Sequence, residues 1–181
     1  MIKEFKIQKE QLTQEILKEY FHYCPLTGIW TQIKKTHTWD NTRKLHSPLG
    51  YVDGRGHVHF SVFGFKYKAH RLAWFYMTGK WPKDQIDHID GNKTNNIFSN
   101  LREATNAENQ LNRRKIKAIS GYKGVYPYRH KDGEIIKWAA QYNKKHLGVF
   151  LKPEDAAKAY DEYIMSINPE FAATNKDISN V

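Results

Sequence analysis

Two hydrophobic rhythms alternate along the chain. Over residues 8–21, Leu12, Ile16, Leu17 and Tyr20 recur at the spacing of one helical stripe. Pro25-Leu26-Thr27-Gly28 interrupts it as a turn, and an extended segment opens at Gly28-Ile29-Trp30. Residues 34–47 are polar and read as a loop. From Gly50 to Lys68 the period falls to two. Val58, Phe60 and Val62 share a face there, while Asp53-Gly54 and Phe63-Gly64 mark turns, which predicts a small antiparallel sheet. His70 to Met77 returns to a helical pattern that Gly79 ends. Residues 84–115 then read as strand, tight loop, strand and helix. Residues 112–120 are basic without amphipathic order and read as a linker. Short strands and turns follow from Gly121 to Lys152, with turns at Lys131-Asp132-Gly133 and Asn143-Lys144-Lys145. Pro153-Glu154-Asp155 opens a last helix whose stripe is Ala156, Tyr160, Ile164 and Ile167, and Asn168-Pro169 stops it.

Composition bounds what this pattern can be. At 181 residues and 40% hydrophobic content, the chain is long and apolar enough for one domain or two small ones, which argues against global disorder. Lys plus Arg number 29 against 19 Asp plus Glu, a net charge of +10 that favours a polyanionic partner. The excess is uneven. Residues 118–152 carry seven basic against two acidic side chains, and residues 153–181 carry two against six. The C-terminal segment is therefore expected to have a basic side for phosphate and an acidic side turned away. The single cysteine, Cys24, excludes an intrachain disulfide and a cysteine-rich zinc ribbon. No apolar run has the length of a membrane span and no signal-peptide core is present, so the expectation is a soluble intracellular protein without a membrane partner.

The candidate chemistry lies in residues 84–115. Hydrolysing a phosphodiester requires deprotonating a water, neutralising charge in the transition state and stabilising the leaving oxygen. Imidazole suits the first task, since its pKa lies near neutrality, and a hard divalent cation suits the other two. His88 is the candidate base. Asp87 should point to the opposite side of a regular strand, so a local irregularity is expected there. Asp90-Gly91-Asn92 supplies the turn. Thr105-Asn106-Ala107-Glu108 fits a capping box, which puts Asn109 in the first turn or so of the helix. Asp87 and Asn109 then offer two oxygen ligands from different elements, enough for a Mg2+-like ion that keeps few protein ligands. His57 and His59 share a strand face, but packed or solvated imidazoles are the expectation for them. The remaining histidines form no comparable cluster.

The segment YKAHRLAWFYMTGKWP through QIDHIDGNKTNNIFSNLREATNAENQLNRR resembles the HNH endonucleases, the ββα-metal fold, over roughly residues 50–115. The resemblance implies His88 as general base, Asn100 as the residue that holds the hairpin around it through loop backbone, and Asp87 and Asn109 as ligands of one divalent metal ion. Where many relatives have histidine, Asn109 stands here, as in an intron-encoded nicking subgroup, which points to Mg2+ or Mn2+ over zinc. The family also implies 5′-phosphate and 3′-hydroxyl ends. His70-Arg71 recurs in it without an assigned step, and Arg71 is a candidate phosphate contact or a structural residue.

Residues 121–175 resemble the plant ethylene-response-factor (APETALA-type) DNA-binding domain. The matching residues are Gly124-Val125, Trp138-Ala139-Ala140, Leu147-Gly148-Val149-Phe150, Glu154 to Asp161 and Ala173-Thr174-Asn175. This implies a three-stranded antiparallel sheet packed on one helix, with the sheet in the major groove. Tyr126, Tyr128, Lys137 or Trp138, Gln141, Asn143 and Lys145 are the candidate groove residues, with Arg129 and lysines on phosphates. Arg113, Arg114, Lys115 and Lys117 are candidates for backbone or minor-groove contact. The expected fold is α+β: a small antiparallel sheet and an HNH unit in residues 1–115, a linker at 116–120, the sheet-and-helix domain at 121–175 and a tail at 176–181. The expected partner is double-stranded DNA, and the expected assembly a monomer, with a dimer as the alternative. The expected activity is site-specific DNA cutting of a homing or phage type, as a nickase or a double-strand cutter. A non-cutting DNA-binding regulator and an RNA-binding protein are the rivals.

Overall fold

Thr13 begins the first element because its hydroxyl accepts the Ile16 N–H, capping α1 (Gln14–Tyr20). The helix ends where the chain becomes extended at Phe21. The stripe expected through residue 21 thus hands over to a strand, β1 (Phe21–Tyr23), which pairs antiparallel with β2 (Trp30–Gln32), and β2 pairs with β3 (Pro48–Leu49). A second sheet follows from β4 (Tyr51–Val52), β5 (Val58–Val62) and β6 (Phe65–Lys68). Its tighter hairpin turns through Phe63 and Gly64, both at positive φ, which matches the twist of the flanking strands. Next comes α2 (Ala69–Thr78), ended by Gly79 in the left-handed conformation with its N–H on Phe75 O. The structure is a computed structural model and describes residues 11–36, 44–114 and 118–178.

Aromatic rings fill the space between α1, α2 and the two sheets. Trp30 lies 4.9 Å from Tyr23 and 5.3 Å from both Phe60 and Tyr76, centroid to centroid. Leu17, Phe21, Val62, Leu72 and Ala73 complete this core. Ile86 and Leu101 join it from the hairpin of β7 (Gln85–His88) and β8 (Leu101–Ala104). That hairpin is thereby anchored to a rigid base before it carries any chemistry.

Contacts divide the chain into two units, residues 1–104 and 105–181. The division falls ahead of α3 (Asn106–Leu111), so this helix groups with the C-terminal elements rather than with the hairpin that precedes it. The second unit holds an antiparallel sheet in the order β11 (Lys145–Phe150), β10 (Ile135–Tyr142), β9 (Val125–Arg129), with α4 (Pro153–Ile167) and the short α5 (Asn175–Ile178). Val125, Ala140, Ala156, Tyr160 and Ile164 are its buried centre. This is the α+β architecture expected from the alternation of residues 121–152 and the stripe of α4.

Two polar clasps close the second unit. Buried Asn175 accepts the Lys123 N–H, donates to Lys123 O and holds Asp161 of α4. Lys123 Nζ donates to Leu111 O at 2.5 Å and to Ala173 O at 3.1 Å, satisfying a carbonyl of the last turn of α3. Burial pulls the Lys123 ammonium down to about 8. Gly124 sits between these clasps at φ +74, where an added Cβ would lie 2.0 Å from the Tyr160 ring. Gly124→Ala therefore combines a left-handed backbone with a clash in the core. It should destabilise the protein by about 2–4 kcal/mol, read as a lower urea midpoint at unchanged m-value. An unchanged midpoint would show that this packing is wrong.

Candidate active site

His88 is the last residue of β7, and both it and Asp87 are buried, at 4% and 5% exposure. The ladder runs without a shift, pairing Asp87 with Arg102 and His88 with Leu101. The irregularity expected at Asp87-His88 is thus absent from the pairing. It begins one residue later, in a turn where the Gly91 N–H meets His88 O at 2.8 Å and Gly91 takes φ +75. Asp87 reaches its cross-strand neighbour. Arg102 Nε and Nη2 both donate to Asp87 Oδ2, at 3.0 and 2.8 Å. A guanidinium so placed orients the carboxylate.

His88 has different company. Its Nε2 lies 3.2 Å from Asn96 Oδ1. The His70 ring stands edge-on to it at 5.0 Å, and His57 lies 6.4 Å away. Burial holds the His88 imidazole below its ordinary pKa, against the opposing pull of the Asn96 hydrogen bond and the Asp90 and Asp87 charges. A neutral imidazole is the form that can accept a proton.

Asn100 pins the loop between the strands. Its Oδ1 accepts the Asp90 N–H at 3.0 Å, while Nδ2 donates to Asp90 Oδ1 and Asn95 O, each at 2.9 Å. Its carbonyl also takes the Ile89 N–H. Asp90 in turn holds Asn95 and the Asn92 N–H, so the loop is a closed set of side-chain bonds rather than a bare turn.

In the second unit, Thr105 and Glu108 form the capping box: the Thr105 hydroxyl accepts the Glu108 N–H, and the Glu108 carboxylate accepts the Thr105 N–H. Half-buried Asn109 follows directly, its N–H on Thr105 O. Asp87 and His88 thus belong to one unit and Asn109 to the other.

Other sequence candidates occupy varied places. Arg71 donates to Asp84 O and Pro82 O, tying α2 to the segment that leads into β7. On the second sheet, α4 meets the face of Val125, Ala140 and Tyr142, because Tyr142 packs against Tyr160 and Tyr163. Strand alternation puts Trp138 on that same face and Lys145 too, whose Nζ lies 4.5 Å over the Tyr163 ring. The opposite face carries Tyr126, Tyr128, Lys137 and Gln141. It also carries His146, directly across from Gln141, which reading the sequence alone passed over. Asn143 and Lys144, both at positive φ, form the β10–β11 turn, and Arg129 caps the β9–β10 turn through Gly133 O. Asn106, Gln110 and Arg113 line a cleft of about 540 Å3 together with Tyr126, Gln141 and Asn143. Arg114 is half-buried, and Lys115, Lys117 and His37 lie outside the described residues.

Sequence reasoning also missed the imidazole cluster. His57 and His59 both approach Asp53, His59 Nε2 at 2.9 Å from Oδ2 and His57 Nδ1 at 4.0 Å from Oδ1, and the His57 ring also lies 5.2 Å from His70. Position alone could not show this, since the three rings come from the lead-in to β5, the start of α2 and the end of β7. Among the described residues no group of three or more His, Cys, Asp or Glu is placed to hold a metal ion.

Residues 67–111 match the model of the HNH endonuclease family. Asp87, His88, Asn100 and Asn109 all fall inside this HNH segment. Two relatives extend the likeness. A protein of Acanthamoeba polyphaga mimivirus that carries the name of an HNH endonuclease is 33% identical over 113 residues, 61% of this chain and 58% of that one. A protein of the SPbeta prophage of Bacillus subtilis (strain 168), named as an HNH homing endonuclease, is 39% identical over 79 residues, 43% of this chain and 45% of that one. The matches thus span about half the length of these relatives. No solved structure matches the chain. No helix among the described residues is long and apolar enough to cross a membrane.

His57, and His70 within the matched segment, should make the first unit acid-labile. Burial lowers His70 to about 2 and His57 to about 4, from an ordinary 6.5. The unfolded chain therefore binds these protons first. Stability is complete above pH 6.5 and declines as pH falls toward 4, continuing toward 2 for His70. Urea midpoints measured from pH 7 to pH 4.5 should fall, and His70→Phe should flatten that slope. A slope unchanged by the substitution would contradict the assignment.

Proposed function

We propose that this chain is a metal-dependent, site-specific DNA endonuclease of the homing or phage type. The observation that carries the proposal is the adjacent Asp87 and His88, buried at the end of one strand within the segment that matches the HNH family, with His88 kept below its ordinary pKa. In this reading His88 accepts the proton of the attacking water, and Asn100 keeps the hairpin loop closed around it. Asp87, oriented by Arg102, and Asn109 are the residues that hold the ion. A Mg2+ or Mn2+ ion bound there supplies charge neutralisation at the scissile phosphate and at the departing 3′ oxygen. One such site per chain makes nicking by a monomer the natural outcome.

The C-terminal sheet supplies the grip in the manner of the ethylene-response-factor domains. Tyr126, Tyr128, Lys137, Gln141 and His146 present the open face, and Asn143 extends it at the turn. Trp138 and Lys145 instead serve the α4 side. The polar cleft that joins α3 to this sheet suits a DNA segment, with amides for base edges and Arg113 for phosphate. The acidic first turn of α4, Glu154 and Asp155, belongs on the side away from DNA.

Plasmid relaxation with Mg2+ should be abolished by EDTA. His88→Ala should lower its rate by about 10²–10⁴-fold while leaving DNA affinity within a few fold. Equal cutting by the two proteins would remove His88 as base; binding without any cutting by the wild type would favour a regulator. Lys137→Ala should weaken binding and reduce the log–log salt slope by about 1, whereas Lys145→Ala should leave the slope in place. The reverse order would show that DNA meets the other face.

A further inference from the structure

Asn96 lies in the loop between β7 and β8, only 3% exposed, with its side-chain oxygen 3.2 Å from His88 Nε2. Its second contact fixes which end of the amide faces the ring. Asn96 Nδ2 donates to Thr94 O at 3.2 Å. Turning the amide over would set two carbonyl oxygens against each other there. The amide oxygen can only accept, so His88 Nε2 must carry the hydrogen, and in the neutral ring Nδ1 then holds the lone pair. We propose that Asn96 is a positioning residue for His88, fixing the Nε2–H tautomer and the ring plane so that Nδ1 is the nitrogen that takes the proton of the attacking water.

The loop that carries Asn96 is held from the far side by the first hairpin. Tyr23 donates its hydroxyl to Asn96 O at 2.6 Å. The Phe98 N–H reaches Pro25 O at 3.0 Å. Gly28 packs so closely that an added Cβ would lie 2.5 Å from the Asn96 carbonyl carbon. With the edge-on His70 ring beside it, the imidazole has little room to turn. The inference rests on the reading of His88 as base. In the step, a water O–H bond breaks as Nδ1–H forms. The oxygen bonds to phosphorus while the bond from phosphorus to the 3′ oxygen breaks. The leaving oxygen takes a proton from bulk water, and the imidazolium returns its own to solvent.

Long-range imidazole 15N spectra of the metal-free full chain at pH 7.5 test this directly. Wild type should show the His88 Nε2–H tautomer. Asn96→Ala should give a tautomer mixture, and Asn96→Asp, which keeps an acceptor at the same reach, should keep the hydrogen on Nε2 while moving the ring toward the imidazolium. In nicking assays Asn96→Ala should lower kcat about ten- to a hundredfold at an unchanged KM. A wild-type ring carrying its hydrogen on Nδ1 overturns the proposal, as does a tautomer indifferent to Asn96→Ala. If Asn96→Ala does not fold, the wild-type and Asn96→Asp spectra decide alone. Should His88→Ala cut normally while the spectra come out as expected, the base reading fails and the positioning of the ring stands.

Discussion

A buried imidazole must give its N–H to an acceptor, and the first unit is organised around meeting that demand at His88. Leaving such a group unpaired costs about 1–3 kcal/mol. Asn96 meets the demand, and the loop that delivers Asn96 is fixed at both ends. Asn100 and Asp90 lock it from within, while Tyr23, Pro25 and Gly28 brace it from the first hairpin. The aromatic core around Trp30 thus does more than hold the unit together, because it sets the position of one amide oxygen. The neighbouring imidazoles are less well served. His57 Nδ1 and His70 Nδ1 are buried without a hydrogen-bond partner, a concentration of unmet polarity at the place where chemistry is proposed.

Asp87 and His88 divide labour through strand geometry. Successive residues of β7 face opposite ways, so one strand end gives a carboxylate paired with Arg102 and an imidazole paired with Asn96. Separate partners give each group its own orientation. The carboxylate is oriented by the guanidinium, and burial holds the imidazole below its ordinary pKa.

Much of this was legible in the residues, for physical reasons that differ by element. α2 and α4 show in their stripes because a buried face needs the 3.6 period, and Gly79 and Pro153 mark an end and a start that backbone sterics require. The hairpin turns at Phe63-Gly64 and Asn143-Lys144 show because positive φ leaves a compositional mark. The capping box at Thr105-Glu108 shows because it is a local exchange of hydrogen bonds. β1 did not show: its Phe21 and Tyr23 continue the apolar run of α1, and only pairing with distant β2 makes them extended. Asn96 stayed hidden among polar neighbours, since its meaning comes from His88 across a loop. The gathering of His57, His70 and His88 depends on tertiary packing and leaves no spacing to read. The facing of Trp138 and Lys145 toward α4 followed only once the strand register was known.

The central proposal is that the end of β7 is where a divalent cation and the scissile phosphate meet. Its most direct test is a Mn2+ titration of isotope-labelled protein bound to a non-cleavable duplex, read by paramagnetic broadening. The account predicts that resonances of Asp87 and His88 broaden first. Broadening centred instead on Asp53 and His59, with those two untouched, would contradict it.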